Sequence, residues 1–480
     1  MCPRGGTGIR AASRVLRSQA ALVLVVGAIA SVASQALSGR ASAQLDQAPP
    51  NIVLILTDDQ RADTLRYMPH VRRQLGRHGL TFADGYVVNP TCCPSRASIL
   101  TGNYSHTTGI YLNHSNERFG GFDAFDDHDT IATRLHDAGY RTGLFGKYLN
   151  GYNRHVDYVP PGWDEWFSTF RDGYFDYKAS VNGVRTSFGH ARSDYGVTVL
   201  NERVHSFIST TDPTVPFFAY IAPHNPHEPA IPAPGDRDRF ASLPRFRPRS
   251  YDEADVSDKP AHMRSIRRLS ADDTRRIDAF RLDQIRSLLA VDRLVGDVVA
   301  ELRERDVLSN TLIVFTSDNG MLWGEHRLDG KGVIYEEATR VPFVIRYDAL
   351  VQSARRDAHL VLNIDLAPTF AEAAGIALAS DGVSLVPLLD AGGGIGRAAF
   401  LIEHLRADND DPIAPTFCAV HTRRFVLARY ETGEEELYDL SRDPLEMISR
   451  AGRRQYHDVQ RRLEGDLRSL CRPAPPGYSF

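Results

Sequence analysis

Oxygen-bearing side chains follow two separate apolar runs of the sequence, and together they could bind a metal ion. Two acids come after residues 51–56, and an acid and an amide come after residues 311–316; they are Asp58, Asp59, Asp318 and Asn319. Ligands of open α/β sheets bind beyond the carboxyl ends of the strands, where these side chains would meet. Such oxygens suit a hard cation such as Ca²⁺ better than zinc, which accepts softer ligands. Each pair alone could instead cap a helix or form a turn.

A second group of reactive side chains surrounds two neighbouring cysteines. The run CCPSR at 92–96 continues to LTG at 100–102, which gives the pattern C-x-P-S-R-x-x-x-L-T-G. This pattern resembles the signature of the sulfatase family. The resemblance implies that a formylglycine-generating enzyme oxidises Cys92 to formylglycine, whose aldehyde hydrate attacks the sulfur of a sulfate ester. A bare C-x-P-x-R match would also fit a turn before a helix, so the longer run carries the assignment.

The sulfatase resemblance implies a role for each polar group around the cysteine. In that family the paired acids and the later Asp-Asn pair bind Ca²⁺, or sometimes Mg²⁺, and the modified Cys92 completes the site. Arg96 matches the arginine that holds the formylglycine hydrate. Lys147 and Lys331 match the lysines of a Gly-Lys and a Gly-Lys-Gly motif. Cations fixed around a sulfate ester lower the barrier because its oxygens gain charge during transfer.

A proline-rich segment supplies two histidines that could protonate a leaving group. The run APHNPHEP at 222–229 matches the family's H-x-P-H-x-P segment, in which the second histidine faces the sulfate. A departing alkoxide or phenoxide needs a proton, and a histidine can supply one near neutral pH. We therefore consider His227 a better candidate for the proton donor than His224. Without the motif, either histidine would more often be structural.

One departure from the common sulfatase pattern narrows the expected substrate. Many members have a histidine two residues after the first lysine, whereas this chain has Leu149 there. This change, the double cysteine and the run DEADVSDKP at 252–260 resemble the subgroup that contains N-acetylglucosamine-6-sulfatase. The resemblance implies a sulfated sugar as substrate, with activity on small aryl sulfates retained. His106 is a further candidate for the same pocket, with a structural role equally open.

Lysine is rare in this chain. Only four of the 56 basic residues are lysines, namely Lys147, Lys178, Lys259 and Lys331. A compact ammonium and a planar guanidinium are not interchangeable beside a small anion. We therefore expect Lys147 and Lys331 to resist replacement by arginine, and Lys178 and Lys259 to tolerate it.

Apolar runs alternate with amphipathic stretches between residues 51 and 374, which indicates an α/β fold. We predict a large, mostly parallel central sheet sandwiched by helices, among them helices at 68–78, 131–138 and 285–302. After a glycine-rich break at 391–396, short strand-like runs and a helix at 455–470 predict a smaller antiparallel sheet with one helix. Residues 231–275 show no clear period and are expected to form a loop at the active-site rim.

These patterns divide the chain into a signal peptide (1–43), a catalytic α/β domain (44–390) and a C-terminal α+β subdomain (397–480). The first segment has arginines but no acid, then an apolar run and Ala41-Ser42-Ala43 before Gln44. This is typical of a signal peptide cleaved after Ala43 and predicts a secreted or extracytoplasmic protein. An uncleaved anchor is the alternative, but the apolar run is short for a bilayer, so no stable membrane insertion is expected.

Charge and cysteine content limit the expected partners. A net charge of -4 over 480 residues does not favour nucleic acid or an anionic membrane as a partner. If Cys92 is modified and Cys93 stays its neighbour, Cys418 and Cys471 remain as a plausible disulfide pair of an exported protein, although the sequence does not establish the pairing.

Two other functions fit many of these residues. A phosphonate monoester or phosphodiester hydrolase of the alkaline phosphatase superfamily can share C-x-P-x-R and the metal acids. A non-catalytic protein that binds sulfated glycans could keep the pocket without the modified cysteine. The histidine segment and the two motif lysines favour sulfate ester hydrolysis.

Overall fold

The computed structural model describes residues 48–114, 118–170, 173–390, 394, 396–406 and 414–480. The predicted signal peptide and most of the glycine-rich break lie outside these residues. Within the described part of the chain, no helix has the length and apolar character needed to cross a membrane.

Fourteen strands are present among the described residues. They are β1 (Asn51–Thr57), β2 (Leu80–Tyr86), β3 (Arg141–Gly146), β4 (Glu165–Thr169), β5 (Lys178–Val181), β6 (Val184–Ser187), β7 (Phe217–Ala222), β8 (Thr311–Ser317), β9 (Phe343–Arg346), β10 (Arg355–Leu362), β11 (Ala399–His404), β12 (Phe417–Thr422), β13 (Phe425–Tyr430) and β14 (Glu435–Asp439).

Ten of these strands form one mixed sheet in the order β10-β2-β9-β8-β1-β7-β3-β4-β5-β6. The central strands β8, β1, β7, β3 and β4 are parallel, as predicted. All seven residues of β1 are buried, which is typical of a parallel strand covered on both faces. Towards the ends the sheet is mixed, because β9 is antiparallel to both its neighbours and β5–β6 is a hairpin.

Helices cover both faces of this sheet. In the described residues the α-helices are Cys92–Thr101, Ser105–Thr108, Ile131–Asp137, Gly196–Thr210, Ala261–Arg264, Ala271–Glu304, Glu336–Thr339, Leu366–Ala373, Val386–Leu389 and His457–Leu470. We call Cys92–Thr101 the cysteine helix and Ala271–Glu304 the long helix. The long helix begins at a capping box in which Ser270 and Asp273 each bond the other's backbone N–H.

The helical stretch predicted at 68–78 is present, but it is short and is not a regular α-helix. A π-helical turn (Val71–Gly76) lies in this stretch, and a 3₁₀ helix (Ala62–Tyr67) precedes it. Pro69 lies between them, and a proline disfavours the helical conformation of the residue before it. Met68 accordingly has φ −112° and ψ 82°.

Alternate residues of β1 enter two separate cores. Ile52 and Leu54 pack in a core with residues of the cysteine helix. Val53 and Ile55 pack on the opposite face with residues of the long helix. Full burial of each such side chain contributes about 1.5–3 kcal/mol, so β1 is held firmly from both sides.

The four remaining strands form an antiparallel sheet in the order β11-β12-β13-β14. The helix His457–Leu470 packs on it, and a disulfide joins Cys418 of β12 to Cys471 after the helix, with Cα atoms 6.4 Å apart. Side chains of both sheets share one hydrophobic core, which includes Tyr86 of β2 and Phe400 of β11. Residues 50–480 form a single compact unit.

Residues 231–275 are largely irregular, and part of this segment is fixed by the turn at 324–327. The Asp252 N–H donates to the Gly324 carbonyl at 2.7 Å, and the His326 N–H donates to the Ser250 carbonyl at 2.8 Å. The segment therefore packs against the chain that leads to Lys331.

Candidate active site

The predicted metal ligands lie at the carboxyl ends of two adjacent strands. Parallel pairing of β1 and β8 places Thr57 opposite Ser317, so the residues that follow each strand are neighbours. Asp58, Asp59, Asp318 and Asn319 are all buried. The Asp59 N–H donates to Asp318 Oδ1 at 3.2 Å, which ties the two strand ends together.

The backbone conformation at Asp59 allows two consecutive acids, Asp58 and Asp59, to face the same site. Its φ is +66°, in the left-handed region that aspartate tolerates better than most residues. Bonds on either side hold this conformation, since the Asp58 N–H donates to the Asn225 carbonyl at 3.1 Å and the Gln60 N–H to Ser317 Oγ at 2.9 Å. In a regular strand, successive side chains would point to opposite faces.

Cys92 is the first residue of the cysteine helix and faces these acids. Its Sγ lies 3.4 Å from Asp58 Oδ1, 3.9 Å from Asp59 Oδ1 and 2.8 Å from Lys331 Nζ. Burial, together with Asp58, raises the pKa of the Cys92 thiol well above its usual range. Cys93 instead enters the hydrophobic core.

The oxygen set fits a hard divalent cation. Ligand atoms of Asp58, Asp59, Cys92 and Asp318 all lie within 4.8 Å of one another. Asn319 Nδ2 donates to Asp59 Oδ1 at 2.7 Å, whereas Asn319 Oδ1 is buried with no hydrogen-bond partner among the described residues. A buried, unsatisfied polar atom costs about 1–3 kcal/mol, and a cation would satisfy this amide oxygen.

Three cations surround the carboxylates. Arg96 Nε donates to Asp318 Oδ2 at 2.7 Å, and Lys147 Nζ donates to Asp58 Oδ2 at 2.5 Å. Lys331 Nζ donates to Asp59 Oδ1. Burial alone would raise the pKa of Asp58, but Lys147 and the other nearby cations hold it well below its usual range. The Asp58 carboxylate is therefore ionised.

The two histidines of the 222–229 segment differ in exposure. His224 Nδ1 lies 3.7 Å from Asp58 Oδ2, and burial and Lys147 hold the pKa of this imidazole well below its usual range. His227 Nε2 lies 3.7 Å from Asp59 Oδ2, its Nδ1 is 2.8 Å from the Glu228 carbonyl, and its side chain is 31% exposed. The surroundings of His224 therefore favour its neutral form, whereas the His227 ring is open to solvent.

A glycine permits the close approach that positions Lys147. Gly146 ends β3 with φ +117°, and a Cβ there would lie 2.0 Å from the Ala222 carbonyl oxygen. The Lys147 N–H donates to the same oxygen at 2.8 Å. The chain therefore brings Lys147 directly beside the histidine segment.

The structure thus brings all ten predicted site residues into one cluster. Tyr148 and Leu149, where many sulfatases were expected to carry a histidine, are buried in a hydrophobic core. His106 bonds Glu403 through Nδ1 at 3.1 Å and stacks on Tyr104. No described contact joins His106 to the acids or lysines of the cluster.

The surroundings of Lys259 argue against the expected tolerance of arginine at this position. Its side chain is fully buried, and Nζ lies 2.9 Å from Tyr438 Oη and 2.8 Å from the Glu446 carbonyl. Lys178, by contrast, is exposed on β5. Of the two lysines outside the motifs, only Lys178 has room for an arginine side chain.

Sequence analysis missed one residue beside the cluster. His404, at the end of β11, lies 3.7 Å from the position that a Cβ of Gly332 would occupy, next to Lys331. No motif marks it, because a strand of the second sheet brings it there from more than 70 residues away in sequence.

Comparison with known proteins agrees with this geometry. The chain matches the sulfatase family over residues 50–376, and residues 324–472 match the C-terminal region of N-sulphoglucosamine sulphohydrolase. It is similar to N-acetylglucosamine-6-sulfatase of Homo sapiens, with 32% identity over 421 residues, which are 83% of this chain and 74% of that protein.

Two longer relatives are named extracellular sulfatases. Identity to the Drosophila melanogaster protein is 36% over 71% of this chain but 31% of that protein. Identity to the Caenorhabditis elegans protein is 32% over 68% of this chain and 47% of that protein. The chain therefore spans less than half the length of either relative.

Solved structures share the fold. One, a complex with its substrate D-glucosamine-2-N,6-O-disulfate, has a TM-score of 0.79 and 24% identity, covering 90% of this chain and 100% of that chain. The phosphonate monoester hydrolase of Agrobacterium radiobacter has a TM-score of 0.70 and 22% identity, covering 88% and 96%.

Proposed function

Because the chain belongs to the sulfatase family, we propose that it is a sulfuric ester hydrolase that removes sulfate from sugars through a formylglycine made from Cys92. The position of Cys92 Sγ carries this proposal. The sulfur lies within 3.9 Å of two buried carboxylates and 2.8 Å from a lysine, where a nucleophile would have both a metal site and a cation beside it.

A divalent cation, Ca²⁺ before Mg²⁺, would be held by the oxygens at the two strand ends. These belong to Asp58, Asp59, Asp318 and Asn319. When bound, the cation supplies positive charge that polarises the sulfate and the nucleophile. The hydrate formed at Cys92 supplies the attacking hydroxyl.

The three positively charged side chains of the site would have two different roles. Arg96 bonds Asp318 and the Lys147 carbonyl, so it orients the acids and the cysteine helix. Lys147 bonds Asp58, Lys331 bonds Asp59 and contacts Cys92 Sγ, and both ammonium groups would stabilise charge on the sulfate oxygens.

His227 is the proposed proton donor to the departing sugar oxygen. Its exposure allows it to regain a proton from solvent, and its Nδ1 bond to the Glu228 carbonyl fixes the ring. His224 is neutral at physiological pH and would instead offer one N–H hydrogen bond to a sulfate oxygen.

The relatives favour a sulfated amino sugar as substrate. The human relative is named for N-acetylglucosamine 6-sulfate, and the C-terminal match is to a protein that acts on N-sulphoglucosamine. We place the protein outside the cytoplasm after cleavage following Ala43, and a formylglycine-generating enzyme is its maturation partner.

One purified batch of the exported protein tests this function. We expect hydrolysis of glucosamine 6-sulfate and of p-nitrophenyl sulfate, with aryl phosphonate turned over far more slowly. Peptide mass spectrometry should find CHO in place of CH₂SH at Cys92 and an intact thiol at Cys93. Activity with an unmodified thiol at Cys92 would end the mechanism, faster phosphonate turnover would favour the phosphonate hydrolase, and binding without hydrolysis would favour a glycan-binding protein.

A further inference from the structure

A cavity of about 690 Å³ lies outside the catalytic cluster, and arginines dominate its lining. We call it the arginine cavity; its six arginines are Arg66, Arg72, Arg73, Arg77, Arg340 and Arg356. None of the residues that line it belongs to the catalytic cluster. Its wall is made by the 3₁₀ helix Ala62–Tyr67 and the π-helical turn Val71–Gly76, together with Thr81 of β2, Val344 of β9 and Arg356 of β10.

The charge of the arginine cavity contrasts with that of the whole chain. Lysines and arginines number 56 against 60 acids overall, whereas Asp63 is the one acid among the cavity's lining residues. Arg66 lies near Asp63 and Arg340 near Glu336. Within the described residues the other four arginines form no ion pair with an acid, although the charge of Arg73 interacts with Asp292, and all four side chains are exposed. Uncompensated guanidinium groups around one concave surface create a local positive potential.

We propose that the arginine cavity binds a sulfated segment of the glycan chain whose sulfate esters the catalytic site removes. Guanidinium groups form paired hydrogen bonds with the oxygens of sulfate and carboxylate groups. The volume falls in the range of about 300–1,000 Å³ typical of small-ligand sites, enough for a sugar unit or two. The choice of a sulfated glycan, rather than another polyanion, rests on the proposed function.

Two chain segments connect the cavity to the catalytic cluster. Asp63 lies four residues after Asp59, and Arg340 lies nine residues after Lys331. A glycan held in the arginine cavity would keep the polymer at the enzyme between successive cleavages. Binding there therefore lowers KM for a polymeric substrate and leaves the turnover of small sulfate esters unchanged.

The test compares two triple variants in a Cys92→Ala background, in which the probe is not consumed. Arg73→Gln, Arg77→Gln and Arg356→Gln change exposed side chains of the cavity that form no ion pair with an acid. Exposed arginines on and before the C-terminal helix provide the matched control, namely Arg453→Gln, Arg454→Gln and Arg462→Gln. Isothermal titration calorimetry with a heparin tetrasaccharide should show affinity weakened by at least roughly tenfold in the cavity variant and unchanged in the control.

Equal affinity of the cavity variant and its parent, or an equal loss in the control, would overturn the proposal. Polyglutamate of the same charge should bind the parent protein more weakly than the heparin tetrasaccharide does. If it bound as tightly and lost as much affinity in the cavity variant, the cavity would not be a glycan site. With Cys92 intact, the cavity variant should keep kcat/KM for p-nitrophenyl sulfate, and a marked loss would show that the cavity is not separate from the catalytic site. If the unaltered protein cleaves no sulfate ester, the proposed function is wrong. The comparison of the cavity variant with the control variant would still show whether the arginine cavity binds the glycan.

Discussion

Each carboxylate of the catalytic cluster faces a different cation. Asp58 pairs with Lys147 and Asp318 with Arg96. Asp59 pairs with Lys331. Charges within the cluster are thus balanced pair by pair, which allows three acids to lie together without solvent. Binding of a divalent cation would leave the cluster positive overall, as a site for a sulfate ester requires.

Asp318→Asn should abolish most of the activity while the protein stays folded, because it keeps the shape of the side chain and removes one charge from the cation's oxygen set. We expect kcat/KM to fall by at least roughly 100-fold and bound metal to decrease. Asp126→Asn is the control, since Asp126 belongs to an exposed acidic group elsewhere. Normal turnover of Asp318→Asn after chelation and dialysis would place the metal elsewhere.

Lys331→Arg should lower kcat/KM for glucosamine 6-sulfate by at least roughly tenfold, about 1.4 kcal/mol of transition-state stabilisation. The ammonium fits between Asp59 and Cys92, where a planar guanidinium would displace one of them. Lys178→Arg, on the exposed residue of β5, should leave the kinetics unchanged. Equal, small effects of both substitutions would mean that Lys331 does not touch the substrate.

The residues of the cluster could be predicted because each has a local sign in the sequence. Asp58 and Asp318 follow apolar strands, and Cys92 and Lys331 lie in recognisable motifs. Lys259 has no such sign, and its burial depends on Tyr438 of the second sheet and on Glu446 in the chain that follows that sheet. Long-range packing of this kind leaves no pattern in the sequence around the residue itself.

At the level of elements, the central parallel strands follow from continuous apolar runs, but the edge strands do not. β6 reads Val-Arg-Thr-Ser and is mostly exposed, so neither an apolar run nor an alternation marks it. It exists because β5 offers its edge and the Asn182-Gly183 turn reverses the chain, both residues having positive φ.

Gly146→Ala tests the close contact between β3 and β7 that positions Lys147. The added Cβ would meet the Ala222 carbonyl at 2.0 Å, so the strand end must move and carry Lys147 with it. We expect a loss of more than about 1 kcal/mol in the free energy of unfolding, together with a large fall in kcat.

Gly139→Ala is the matched control for this substitution. Gly139 also has positive φ, but a Cβ there would meet nothing within 4 Å. It should cost about 1 kcal/mol and leave kcat unchanged. If both variants kept full activity, the contact at Gly146 would not be what positions Lys147.

At the level of the whole molecule, Lys259 links the segment before the long helix to the second sheet. Lys259→Arg should destabilise the protein by about 1–3 kcal/mol, because the larger guanidinium overfills a closed space between Tyr335 and Tyr438. Chemical denaturation measures the loss, and activity per folded molecule should persist. A midpoint equal to that of Lys178→Arg would show that the space is not closed.

The strand order of the large sheet determines when, during synthesis of the chain, the cluster around Cys92 can assemble. β1 is made early, yet its neighbour β8 follows some 260 residues later, and Lys331 reaches Cys92 across 239 residues. Pairing over such separations is slow and cannot begin until the later residues have been synthesised. Until then the cysteine helix lacks the partners that bury it. We therefore expect a growing chain to pass through a period in which Cys92 is accessible to the proposed modifying enzyme, and that period ends only when β8, Lys331 and the helix Leu366–Ala373 have joined the fold.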